Sequence, residues 1–153
     1  MKRPKVYLIA ILLSSLCIPF PGCSDDEEVI DLSQEEAEKA IIGKWKLVKQ
    51  GPDEDRLFLM NEDSGSGFWT EFYPAKTMQK SQITSSGFYM GPEYAYYLDQ
   101  GCLYLRDTRI VYEYKFTDKK NTLTLKNISE GPQLIYMQYG YESPVIRVYQ
   151  RVE

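Results

Sequence analysis

The chain contains no histidine. That removes histidine-based catalytic triads, most imidazole acid–base pairs and the commonest metal ligand. Carboxylate chemistry stays open. Cysteine is scarce, with Cys17, Cys23 and Cys102 standing apart rather than as a closely spaced metal-binding or redox pair. Positive charge is not in excess: 18 Lys and Arg face 22 Asp and Glu, a formal charge of −4, so no basic face is implied and nucleic acid is not an expected partner. Asp63-Ser64-Gly65-Ser66-Gly67 is a flexible loop rather than a phosphate cradle, since no lysine follows it. No nucleophile elbow is present, and Asp53 and Asp55 do not match calcium-loop spacing. No apolar run approaches the roughly 20 residues of a membrane-crossing helix. No cofactor and no metal site is implied, and the chain is not expected to be an enzyme.

What is present begins at the amino terminus. Lys2, Arg3 and Lys5 precede an apolar stretch from Val6 to Leu13 that resumes at Leu16, Cys17 and Ile18. A small residue, Gly22, comes just before Cys23, and Ser24-Asp25-Asp26-Glu27-Glu28 follows. A basic region, a short apolar core and a small residue before a cut make a secretory signal. With Cys23 first after the cut, the segment resembles a bacterial lipoprotein signal. The rival Cys17 follows Leu16, too bulky for that family's cleavage position. The resemblance implies a signal peptide over 1–22 and an acylated Cys23 as the new amino terminus, with ordinary secretion as the alternative. A single acyl chain holds a membrane only marginally and two or more hold it stably, so lipidation would suffice as an anchor. The acidic run resembles the surface-export tag of Gram-negative outer-membrane lipoproteins. It implies display at the cell surface, with the periplasmic face of the outer membrane as the alternative.

Loss of residues 1–22 removes three bases and no acid, taking the formal charge from −4 to −7. Residues 24–39 carry eight acids against Lys39 alone, whereas from residue 40 onward 14 acids face 14 bases. Residues 23–32 therefore read as a self-repelling acidic tether, and residues 33–153 as one domain, neutral from residue 40 onward and large enough for its own core. Cys102 is left with no disulfide partner and reads as a small buried hydrophobe.

Ser33-Gln34-Glu35-Glu36 has the form of a capping box, opening a short helix that ends at Gly43. Beyond it the period changes to two. Trp45 and Leu47 alternate with Lys44 and Lys46, and Phe68 and Phe72 bracket Thr70. Tyr94, Tyr96 and Leu98 form a row, as do Leu103 and Leu105. Ile110, Tyr112, Tyr114 and Phe116 oppose Arg109, Glu113 and Lys115, while Leu123 and Leu125 alternate with threonines and Lys126. In the last strand Ile146, Val148 and Val152 are expected inside, and Arg147, Tyr149 and Arg151 outside. Turn chemistry separates these rows at Gly51-Pro52-Asp53, Gly91-Pro92, Asp118-Lys119-Lys120-Asn121 and Gly131-Pro132. The pattern predicts an all-β fold, an antiparallel up-and-down barrel of about eight to ten strands behind a short N-terminal helix. A sandwich or open sheet is the alternative.

A short helix leading into Gly43-Lys44-Trp45 resembles the opening of lipocalin-like domains, whose Gly-x-Trp starts the first barrel strand. The ending Tyr149-Gln150-Arg151 is similar to that of small lipocalin-like domains on bacterial surface lipoproteins. The resemblance implies that an arginine near the last strand, Arg147 or Arg151, covers Trp45.

An eight-stranded barrel holds either a side-chain core or one small ligand. Phe72, Tyr94, Tyr96, Tyr112, Tyr114 and Phe116 are the candidate lining: rings with apolar walls and, in the tyrosines, a polar tip suit an amphipathic molecule. The same rings also serve simply to fill a barrel. Leu134 to Tyr141 reads as a further strand or, as a loop, an apolar contact patch. Glu71 and Glu113 are the best carboxylate pair, and both fall on outer faces. The expected function is ligand binding by a membrane-anchored barrel. The alternative is a filled barrel serving as an interaction or structural module for a cell-surface protein.

Overall fold

A computed structural model describes residues 28–60, 67–129 and 146–152. The expected strand over Leu134 to Tyr141 lies outside those residues, as do Cys23 and the signal. The described chain is all-β apart from one short helix: eight antiparallel strands close into a barrel.

Helix α1 (Gln34–Ile41) starts as its sequence dictates. The Ser33 hydroxyl accepts from the Glu36 backbone and the Glu36 carboxylate accepts from the Ser33 backbone, completing the capping box. Its apolar side, Ala37, Ala40 and Ile41, is buried against the barrel. Strand β1 (Gly43–Gly51) follows directly, then the two-residue β2 (Phe58–Leu59), β3 (Gly67–Tyr73), β4 (Thr77–Thr84) and β5 (Gly87–Asp99). The meander continues through β6 (Cys102–Leu105), β7 (Val111–Thr117), β8 (Thr122–Asn127) and β9 (Ile146–Val152). Each of β4 to β9 pairs with the strand before it in this series, β1 pairs with both β3 and β9, and β2 pairs with β1 alone. Closure leaves no bare barrel edge, as full barrels do. Strand β2 lies on the β1 edge at Lys49 and Gln50, beyond the stretch of β1 that pairs with β3.

Inner rows follow the alternation read from sequence. Trp45, Phe72, Met78, Tyr96, Leu98, Leu103, Phe116 and Leu123 form the core at the end covered by α1, which we call the helix end. Leu47, Leu105, Tyr112 and Leu125 continue it toward the other end, the far end. The outer rows carry Lys44, Lys46, Glu71, Glu93, Glu113, Lys115 and Lys126. An apolar interior with a charged exterior is the inverse of a membrane-spanning barrel, whose outer band is apolar. Among the described residues no helix is long and apolar enough to cross a membrane.

Three expectations are corrected. The last strand faces the other way beyond its first residue: Tyr149 and Arg147 are buried opposite Leu123 and Leu125, whereas Val152 is exposed and Val148 only partly covered, and Ile146 alone of the expected set is buried. The reason is register. Cross-strand partners share a face, and Leu123 and Leu125 already point in. Cys102 is not a buried hydrophobe; it lies partly exposed on the outer row of β6, next to Leu103 facing in. The stretch expected as tether is not free over its last residues, because the Ile30 backbone N–H donates to the Phe116 carbonyl at 2.9 Å and Leu32 packs on the core.

Candidate functional site

The Gly-x-Trp start has a concrete role here. Trp45 is fully buried and its indole N–H donates to the Ile41 carbonyl at 2.8 Å, tying the barrel to the last turn of α1. Arg151 lies with its guanidinium 4.2 Å from the centroid of the Trp45 ring and donates to the carbonyls of Ile42 and Ala40. Those carbonyls are the ones a helix leaves without partners at its C-terminus. Gly43 has φ +129°, and a Cβ there would lie 3.0 Å from Arg151 Nη1, so glycine answers both the backbone and the space. Of the two candidate arginines, Arg151 covers Trp45; Arg147 is buried further along the same inner row, toward the far end. Burial lowers the Arg151 guanidinium from its ordinary value.

The six candidate aromatic residues divide into two groups. Phe72, Tyr96 and Phe116 are packed shut at the helix end, with Phe72 and Tyr96 edge to face at 5.2 Å and Phe116 tilted on Trp45 at 6.1 Å. The Tyr96 hydroxyl is buried without a hydrogen-bond partner. Burial first, and the Glu38 carboxylate second, push it up to about 12. Glu38 itself is held below the ordinary carboxylate range, chiefly by its hydrogen bond with Lys76 and then by Gln34.

Tyr94, Tyr112 and Tyr114 are placed differently. Tyr114 packs edge-on to Phe116 at 5.8 Å and borders a cleft of about 610 Å³ between Ile30, Leu32, Gln34 and the β5–β6 turn. Tyr94 faces in beside Met78 and is only partly buried. Tyr112 faces in at 4% exposure, and Lys80 reaches it from across the barrel.

Lys80 was not among the candidate residues. Strand β4 places it on the inner row between Met78 and Gln82, directly opposite Thr70 of β3. Its ammonium lies 3.5 Å from the Tyr112 hydroxyl oxygen and 5.7 Å from the ring centroid, a cation over an aromatic face. Thr70 is 1% exposed and its hydroxyl has no hydrogen-bond partner. One step further on, Phe68 pairs with Gln82, and both are only partly buried. The readable signal was the period-two row Met78, Lys80, Gln82; its polarity hides it, because a mostly polar run does not announce an inner face.

The other candidates come apart. Glu71 accepts a hydrogen bond from Tyr73 on the outside of β3, and Glu113 faces out from β7 opposite Cys102 and Lys126. With β3 and β7 on opposite walls, the two carboxylates do not share a cleft. Among the described residues no group of His, Cys, Asp or Glu is placed to hold a metal. On the outer wall, Tyr97 and Tyr104 stack at 4.8 Å, with Arg106 5.9 Å from the Tyr97 ring, bordering a groove of about 530 Å³. Such cross-strand stacking is ordinary sheet stabilisation. Comparison of the chain with protein-family models, with curated proteins and with solved structures gives no match.

Proposed function

We propose that this chain is a lipoprotein anchored through Cys23, displayed at the outer-membrane surface, whose lipocalin-like barrel binds a small amphipathic molecule in its far half. The observation that carries the binding reading is a contrast of burial along the inner rows. At the helix end the inner residues are at or near zero exposure, among them Trp45, Met78, Leu103 and Leu123. Toward the far end, beside the buried Leu47, Leu105, Tyr112 and Leu125, the inner side also carries Phe68, Lys80, Gln82, Tyr94 and Ile110, which are only partly buried. Solvent therefore reaches inward-facing side chains, and apolar walls beside a few polar groups are the composition of a small-molecule site. The helix-to-strand opening, with Gly43, Trp45 and the covering Arg151, supports the lipocalin-like reading. The anchor rests on the sequence around Cys23.

The test is native mass spectrometry of the full chain isolated gently from its host membrane. A reproducible extra mass, lost in Tyr112→Ala and kept in Tyr97→Ala on the outer wall, is the expected result. A chain that carries no extra mass, under conditions that retain the lipid on Cys23, overturns the binding reading. Incorporation of labelled palmitate, abolished in Cys23→Ser, tests the anchor separately.

A second reading is favoured by exposed apolar residues. Phe58 and Leu59 on β2 are 65% and 77% exposed, and Phe88, Tyr89 and Met90 on the β4–β5 hairpin are all above half exposed. Patches of this kind mark contact with a partner protein, so an unliganded barrel would direct attention to this rim.

A further inference from the structure

We infer that two copies of this chain pair edge to edge along β5, the segment Phe88-Tyr89-Met90 of each running antiparallel to the same segment of the other. Such pairing goes beyond the binding reading and does not depend on whether the barrel carries a ligand.

Strand β5 has 13 residues and its neighbour β6 only 4. Strand β6 pairs with Tyr96 to Asp99, and the Arg106 N–H adds a bond to the Ala95 carbonyl. Gly87 to Tyr94 overhang that closed stretch. They pair with β4 on one side and, among the described residues, with no strand on the other. Register fixes which backbone groups the overhang offers. Ser85 and Ser86 form the turn, so Thr84 and Gly87 are the hydrogen-bonded pair that closes the hairpin. Bonded and non-bonded pairs alternate along an antiparallel ladder, which makes Ile83–Phe88 and Ser81–Met90 non-bonded. The N–H and C=O groups of Phe88 and Met90 therefore point away from β4, and no described residue takes them up.

Exposed edges are ordinarily guarded by a charge, a proline or a bulge. Here Pro92, and the register shift between Gln79 and Ser81 across from it, come only after Met90. Ser81 to Gly91 contain no charged residue, and Phe88, Tyr89 and Met90 are 59%, 53% and 59% exposed. The unguarded segment is also self-complementary, which identifies its occupant as a second copy. A two-fold axis at Tyr89 sets Phe88 opposite the second copy's Met90, and Met90 opposite its Phe88. Each such pair exchanges both N–H···O=C bonds, so the free groups of the two edges are used together. Tyr89 meets its own copy in the non-bonded position between them, where side chains are closest. Gly87 falls opposite Gly91, so no side chain crowds either flank. On the outer face Phe88 and Met90 lie beside Ile83, and the two copies bring these residues into one apolar cluster. No charge meets a like charge there, although the chain is acidic as a whole. An unrelated peptide would cover one edge, whereas an isologous pair covers two and closes on itself. Few residues of each copy take part, which places the contact at the small, weak end of specific interfaces.

The experiment follows the full chain in a non-ionic detergent by sedimentation velocity from about 1 µM to 1 mM, the range that brackets a weak contact. Wild type is expected to pass from monomer to dimer within it. Met90→Pro removes an edge N–H without touching the ladder to β4 and should leave the chain monomeric. Met90→Lys replaces it if circular dichroism shows that the proline variant is not folded. Disulfide trapping then reads the register. In a Cys102→Ser background, Tyr89→Cys sets two thiols in opposed positions with Cα atoms about 4.5 Å apart. Phe88→Cys leaves its two copies about 7–8 Å apart on a diagonal. Oxidation with diamide should therefore link Tyr89→Cys at least about tenfold faster than Phe88→Cys, and Cys102→Ser alone not at all. A wild-type chain that stays monomeric across the range, equal linking at the two positions, or a dimer that persists in Met90→Pro overturns the inference. So does slow amide exchange at Phe88 and Met90 in the dilute monomer, the sign of an edge already occupied within one chain. None of these outcomes alters the extra mass by which ligand binding is judged.

Discussion

The two halves of the barrel share strands and alternation but solve different problems. At the helix end the inward positions are close-packed and mostly apolar, with Arg151 partnered by the C-terminal carbonyls of α1 and only the Tyr96 hydroxyl left without a partner. At the far end the same strands present Thr70, Lys80, Gln82 and Arg147 to the interior. The first arrangement is what stability asks for, since close-packed apolar interiors carry the folding free energy. The second lowers stability relative to an apolar core. The binding proposed above would then be located where packing is poorest.

That comparison is sharpened most strongly by truncation at the helix end. Trp45→Ala removes a fully buried ring together with its bond to Ile41, and should cost about 3–5 kcal/mol in urea unfolding. Phe68→Ala, partly exposed on the far half, should cost clearly less. Equal losses would break the distinction between a packed end and a looser one.

Gly43→Ala comes next. It forces a side chain onto φ +129° and places a methyl 3.0 Å from Arg151 Nη1, so a loss of roughly 1–3 kcal/mol is expected. If the loss comes from displacing Arg151, then Gly43→Ala and Arg151→Met will be strongly non-additive in a double-mutant cycle.

A smaller change of opposite sign is expected at Tyr96. Its hydroxyl is buried and unpartnered, so Tyr96→Phe should be neutral or raise stability by up to about 1 kcal/mol. The same hydroxyl sets an alkaline limit. Its folded value is about 12 against an ordinary 10.0. The neutral form thus contributes stability that is complete below 10.0 and lost as pH rises toward about 12. Thermal melts of wild type should fall across that interval more steeply than those of Tyr96→Phe.

At the acid side, Glu36 is held low by the Ser33 hydroxyl and backbone, and Glu38 by Lys76 and Gln34. Both fold-state values lie below the ordinary 4.5. Their contribution is present above that pH and lost as pH falls beneath it. Both groups are solvent-facing, so the effect on the melting midpoint should be the smallest of this series, and Glu38→Gln should reduce it.

The fold was legible where local and tertiary signals agree. Ser33 and Glu36 announce the capping box because both residues act within one turn. The row Leu123-Leu125 announces an inner face because the other parity holds only Thr122, Thr124 and Lys126. Strand β9 misled because both of its parities offer large side chains: Ile146 and Val148 on one, Tyr149 and the stems of Arg147 and Arg151 on the other. Hydropathy ranks the first parity as inner, while the pairing with β1 and β8 selects the second. A one-residue change of register exchanges the faces of a strand, and only the neighbours fix it.

The candidate site was legible in part. Its aromatic composition was visible, but which rings are packed shut depends on where α1 sits. Lys80 was hidden because β4, Thr77-Met78-Gln79-Lys80-Ser81-Gln82, reads as polar on both parities. Its inward turn follows from register with Phe68, Thr70 and Phe72, which is a tertiary fact.

The most direct measurement is a crystal structure of the full chain isolated from its own host membrane, without refolding. The account predicts electron density for a non-protein molecule inside the far half of the barrel, while Trp45, Phe72, Tyr96 and Phe116 remain packed. An interior in which side chains fill the space beside Lys80, or a ligand lying only in the outer groove at Tyr97 and Tyr104, would contradict it.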